Sequence, residues 1–248
     1  HTATLLSDGS VLIVGGGNNG FLSSCEIFEP GSGIMSGTGS LSAARENHTA
    51  NHIGGGQVLV VGGTGGQVLA SCEIYQITTG TWSQTGALNL ARAGHTASTL
   101  GNGNVIVAAG GIGNPASCEL YNPTLGTWAV TGSLSLGRGD HAGFLLPNGN
   151  AVVAGGGYQQ SFSSCEQYNP ESGSWSSIAS LTVDRRRHKA TQLTTGKILI
   201  SGGYSNQQNT PAIYLASCEL FDPVNDPPSV AASGSPTSIT PGDSVSFS

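Results

Sequence analysis

The sequence predicts an all-β fold, a β-propeller of four-stranded antiparallel blades, on three observations. Five Cys recur at positions 25, 72, 118, 165 and 218, each within the string Ser-Cys-Glu. Five of the six His keep a similar period, at 1, 48, 95, 141 and 188. Gly makes up 39 of 248 residues, about twice the usual share, while charged residues are 9% against about a quarter in an average domain. A fixed spacing of this length identifies a repeat architecture. The glycine content requires frequent turns and argues against long solvated helices.

Each element of the unit can be read in turn. In the repeat that opens at His95, residues 95–100 form a short strand and Gly101-Asn102-Gly103 a turn. Residues 104–109 form a second strand, closed by Gly110-Gly111. Residues 117–121 alternate as a third, a turn follows from Asn122-Pro123 to Gly126, and residues 127–130 make a fourth. Four short strands per repeat make one propeller blade. A blade is too thin to bury its own apolar faces, so blades must stack. Repeats fall near 1–47, 48–94, 95–140, 141–187 and 188–226. Trp82, Trp128 and Trp175 each lie ten residues after a Cys, with Met35 in that place in the first repeat. The fifth repeat has no such Trp, so about five blades of a larger propeller are expected. Its open blade edges imply self-association. Residues 227–248 turn Ser/Thr/Pro-rich and look like a linker and the truncated start of an immunoglobulin-like or PKD-type module.

Charge and hydropathy exclude several functions. With a net charge of -6 and only 8 Lys and Arg, the chain lacks the cationic footprint that nucleic acid requires. Apolar stretches such as residues 105–109 end in Gly pairs, far short of a membrane span. The chain starts at His1 without a signal-like segment, so any targeting signal is expected upstream or already removed.

Several strings resemble bacterial kelch repeats across about residues 1–223. They are the Gly pairs 62–63, 110–111 and 202–203, and the Glu-x-Tyr/Phe-x-Pro strings at Glu119 and Glu219. The Trp ten residues past the Cys and the junction Arg-x-x-His complete the pattern. The WD-repeat pattern fits worse, since no Trp-Asp ending is present. The kelch resemblance implies that the His-bearing strand is innermost and the Trp strand outermost. It also implies a non-catalytic interaction module, extracellular or on a bacterial cell surface, with no cofactor. Kelch architecture is similar to the propeller of galactose oxidase, so a copper radical oxidase is the alternative. That chemistry would need a Tyr-His dipeptide and a Cys-modified Tyr near the axis, and no Tyr precedes a His here.

The repeated charges read as fold chemistry. Arg45, Arg92, Arg138 and Arg185 stand three residues before His48, His95, His141 and His188, and Glu26, Glu73, Glu119, Glu166 and Glu219 follow the Cys. Such sets favour a blade-to-blade network of charge-assisted hydrogen bonds over a metal site. The Cys are expected to be free, buried hydrophobes, because equivalent positions lie about a sheet spacing apart, beyond disulfide reach. Gly15 to Gly20 matches G-x-G-x-x-G, but a strand rather than a helix follows. Arg138-Gly139-Asp140 reads as the junction motif and not as an adhesion tripeptide.

Recognition is expected on the face bearing the second-to-third-strand loops and the blade junctions, where the repeats vary. Arg186 and Arg187 are extra to the repeat. With Tyr158, Tyr204 and Asn206 they form the candidate ligand site, suited to an acidic protein segment or an anionic glycan. The competing reading is that these Arg balance Asp184 and nearby acids.

Overall fold

The computed structural model describes residues 1–222 except 112, 114 and 209. The described residues are all-β and contain no helix, as expected. The proposed module at 227–248 lies outside the described residues. Contacts divide the chain into two compact units, His1–Thr131 and Gly132–Ser248.

The first unit holds three four-stranded antiparallel blades. They are β1 (Thr2–Leu5), β2 (Val11–Gly17), β3 (Phe21–Glu29) and β4 (Ile34–Gly37), then β5 (Thr49–Gly54), β6 (Gln57–Val61), β7 (Cys72–Gln76) and β8 (Thr81–Thr85). The third blade is β9 (Thr96–Thr99), β10 (Val105–Ala108), β11 (Cys118–Asn122) and β12 (Thr127–Thr131). The second unit holds β13 (Ala142–Leu145), β14 (Ala151–Ala154), β15 (Cys165–Asn169) and β16 (Ser174–Ile178), then a blade described as three strands, β17 (Lys189–Gln192), β18 (Ile198–Ser201) and β21 (Cys218–Phe221). Between these last two a small hairpin pairs β19 (Tyr204–Ser205) with β20 (Ile213–Tyr214).

Stacking is visible in β6, where every residue of Val58-Leu59-Val60-Val61 is buried. Side chains alternate across a strand, so Val58 and Val60 join Leu12, Val14 and Tyr75 in one cluster. Leu59 and Val61 join Val105, Val107 and Tyr121 in the next. The unbroken apolar run in the sequence is thus a strand with a blade on either side. In the second unit Ala154, Cys165, Leu181, Ile198 and Ile200 form the corresponding layer.

Within a unit, the first strands of successive blades pack together and so form the inner side. Asn51 Nδ2 donates to Ala97 O at 3.1 Å, and Thr99 Oγ1 to His52 O at 3.0 Å. The outer side is held by aromatics. Tyr75 and Trp82 face each other across β7 and β8 with centroids 5.0 Å apart, and Tyr121 and Trp128 repeat this at 5.1 Å. The Trp82 indole N–H donates to Gly39 O at 2.8 Å and that of Trp128 to Gly86 O at 2.9 Å. The hydroxyls of Tyr75 and Thr38 bond at 2.6 Å, as do those of Tyr121 and Thr85. In the fifth blade both hydroxyls are replaced together, by Phe221 and Ile178, which pack on the same apolar cluster. The exchange leaves neither residue with an orphaned hydroxyl.

The structure corrects one expectation. All five Cys are free, yet Cys218 is exposed while the other four are buried. Cys72, Cys118 and Cys165 each face a fourth-strand residue, and β21 pairs only with β18 among the described residues. Burial pushes the Cys72 and Cys165 thiols up to about 11, so those two are unreactive near neutral pH.

Glycine is required sterically where one blade's outer edge meets the next. A Cβ on Gly86 would stand 2.3 Å from Gly126 O, the carbonyl that accepts its N–H at 3.0 Å. Replacing Gly86 with Ala should therefore cost about 2 kcal/mol or more in chemical denaturation. Ala at solvent-facing Gly101, which meets no atom within 4 Å, should change little. Equal effects at the two sites would contradict the close approach.

Candidate functional site

Four blade junctions each bury a complete Arg at 0% exposure. The Arg92 guanidinium donates through Nη1 to Ala109 O and Ser117 O at 2.9 and 2.7 Å. Its Nη2 donates to Ser117 Oγ and Glu119 Oε1 at 3.0 and 2.9 Å, and Nε reaches Glu119 Oε1 at 3.3 Å. Glu119 Oε2 in turn accepts the Asn89 backbone N–H at 2.7 Å and its side-chain amide at 2.8 Å. Arg45–Glu73, Arg138–Glu166 and Arg185–Glu219 repeat the pair at 2.8 Å. Each junction Arg thereby ties its loop to two carbonyls and the third strand of the blade it enters. Glu26 is the exception. It is exposed and forms no ion pair among the described residues.

The His tie first strands together. His48 Nε2 lies 3.0 Å from Thr2 Oγ1, and His95 Nε2 lies 3.0 Å from Thr49 Oγ1. His141 is buried in the same register. His188 is buried and its Nε2 has no hydrogen-bond partner among the described residues, for Ala142 stands where Thr2 and Thr49 stand in earlier blades. Burial, reinforced by the neighbouring Arg charge, lowers His48 and His188 to about 4 and His95 to about 3.

The sequence-derived ligand candidates gather in the second unit, in a different arrangement from the one expected. Arg186 pairs with Asp140 at 2.6 Å, donates to Tyr158 O and lies over the Tyr204 ring at 5.5 Å. Its side chain is 12% exposed. Arg187, also on Asp140 at 3.1 Å, is 69% exposed. These Arg balance Asp140 and not Asp184. Arg138 is buried, so Arg138-Gly139-Asp140 is not displayed as a tripeptide. Arg187 has φ 54°, as does Asp140, and Asn47 and Gly94 take positive φ at the same place in their repeats. Asn, Asp and Gly tolerate this conformation, whereas Arg bears a conformational cost there. Tyr158 is 60% exposed, and Asn206 is held through its side chain by Gln159 O at 2.9 Å.

Asp184 was missed as a site residue. It occupies a position filled by Ala44, Ala91 and Gly137 in other junctions, a departure legible in the aligned repeats. Its Oδ2 accepts hydrogen bonds from Ser161 Oγ, from Ser205 Oγ at 2.7 Å and from Gln207 Nε2 at 3.2 Å.

Comparison with protein families matches the Kelch motif to residues 47–89 and 141–182. The second and fourth repeats match the kelch motif. The two matched segments contain the second and fourth blades whole, from β5 to β8 and from β13 to β16. No curated protein matches the chain.

The lowered His values set a pH dependence. A neutral buried imidazole binds fewer protons than the unfolded chain below about pH 6.5, so its stabilising effect is full above that value. The effect declines as pH falls toward about 4 for His48 and His188. Burial disfavours the Glu119 charge, but the Asn89 amides and Arg92 outweigh it and lower its pKa below 4.5, so its contribution is lost at still lower pH. Urea midpoints should fall between pH 7 and pH 5; a flat profile over that range would contradict the buried neutral imidazoles.

Proposed function

We propose that the chain is a non-catalytic interaction module of a secreted or cell-surface bacterial protein. It binds a protein or glycan through the face carrying the second-to-third-strand loops and the blade junctions. One observation carries this reading: in the second unit, the departures from the repeat collect on that face. They are Asp184, Arg186, Arg187 and the inserted β19–β20 hairpin, which presents Ile213 at 66% and Tyr214 at 85% exposure. The remaining repeated polar chemistry holds blades together. Exposed aromatics on a rigid scaffold supply large contact area at low conformational entropy cost.

The reading is tested with immobilised panels of glycans and of acidic, basic and neutral peptides. Tyr158→Ser with Tyr214→Ser should reduce capture about tenfold or more, as loss of anchoring aromatics does. Glu171→Ser, on the opposite face in the turn after β15, should leave it unchanged. Equal loss from both faces, or capture indifferent to the Tyr pair, contradicts the assignment. Galactose oxidation should stay at the buffer rate, and stoichiometric copper held by Tyr and His would favour the oxidase reading instead.

A further inference from the structure

Asp184 adds a carboxylate at a position that the other junctions fill with a small residue, and it organises three separate segments. Ser161 lies on the loop between β14 and β15, Asp184 on the junction, and Ser205 and Gln207 on the segment after β18. Ser161 is buried. Its Oγ also lies 3.0 Å from Asn206 O and accepts the Asn206 N–H at 2.8 Å. With three donors on Oδ2, the carboxylate is fixed in orientation, and Oδ1 has no protein donor among the described residues.

Beside this carboxylate opens a cleft of about 400 Å³, with Leu136 and Phe162 as apolar walls and Gln160, Thr182, Asp184 and Gln207 as polar ones. The first unit has a cleft at the equivalent place in its second blade, about 550 Å³, lined by Thr64, Gln67, Val68 and Leu90, with Ala91 where Asp184 stands. It offers no charged group. The two clefts share a scaffold, and the second has acquired an oriented acceptor with hydroxyl and amide neighbours.

A ligand matching this lining must donate to a carboxylate, exchange hydrogen bonds with amides and hydroxyls, and place C–H surface on Leu136 and Phe162. Anionic ligands are disfavoured by Asp184, which no Lys or Arg neutralises among the described residues. We propose that the cleft is a binding site for a neutral carbohydrate, with a vicinal diol of a pyranose donating to Asp184. This rests on the interaction-module reading and narrows its ligand to a neutral glycan, away from the anionic one suggested by Arg186 and Arg187.

The test is titration of the chain with methyl glycosides of neutral hexoses, with glucuronate and a sulfated galactose as anionic members, followed by calorimetry and NMR. At least one neutral glycoside should bind. Asp184→Asn should weaken it about tenfold or more, as expected for a hydrogen bond to a charged acceptor. Gln207→Ala, at an exposed side chain, should weaken it less and leave the melting temperature unchanged, so a misfolded Asp184 variant would not decide the matter. Affinity equal in both variants, or no neutral glycoside bound, overturns the proposal. So does preferential, salt-sensitive binding of the anionic sugars that Arg187→Ala abolishes. A chain that captures peptides on its loop face but no glycoside refutes the carbohydrate cleft and leaves the interaction module standing.

Discussion

A guanidinium with no exposure to water is tolerable only where its N–H groups meet acceptors and its charge meets an opposite one. At three of the four blade junctions both conditions hold in full, and at the fourth Arg185 meets both except at Nε, which has no partner among the described residues. Arg45, Arg92 and Arg138 each satisfy all five donors with two backbone carbonyls, a Ser hydroxyl and a Glu, Nε going to a third carbonyl in Arg45 and Arg138 and back to the Glu in Arg92. The acceptors belong to the ends of the second and third strands of the blade that the loop enters. The junction therefore cannot shift without orphaning a buried charge, and that constraint sets where each blade begins. The apolar layers and the outer Trp and Tyr contacts then close a geometry that the Arg has fixed.

This arrangement explains the unusual composition. A chain with 8 Lys and Arg uses four of them at blade junctions, and four of its 14 acids are their partners. Few charges are left over, so those outside the repeat register carry information about function. Asp184, Arg186 and Arg187 lie side by side at one junction, and the structure separates their roles. Arg186 and Arg187 share Asp140, while Asp184 fastens the loops that form the polar cleft.

The fold was legible because a repeated unit prints its own alignment. Cys, His, Arg and Trp mark the same structural place in successive blades, and the buried run Val58 to Val61 marks a strand with a neighbour on each side. What periodicity cannot convey is whether a neighbour covers a given copy. Glu26 has the right register but is exposed and without an ion pair among the described residues, and Cys218 has the right register but no described fourth strand beside it. The candidate site was half legible. The loop face and Tyr158 were found from loop variation, whereas the Asp140 pairing of Arg186 joins residues 46 apart, which adjacency in sequence does not show. His188 shows the same limit: its missing Thr partner is visible only once Ala142 is known to stand opposite.

Whether buried Arg–Glu pairs fix the junctions is decided most directly by a double-mutant cycle on Arg92→Met and Glu119→Leu in equilibrium denaturation. Each single change leaves a charge buried without its partner and should cost about 3–5 kcal/mol. The double variant removes both charges, so it should cost clearly less than the sum of the singles. Single effects below about 1 kcal/mol, the range of an exposed pair, or strict additivity would contradict the account.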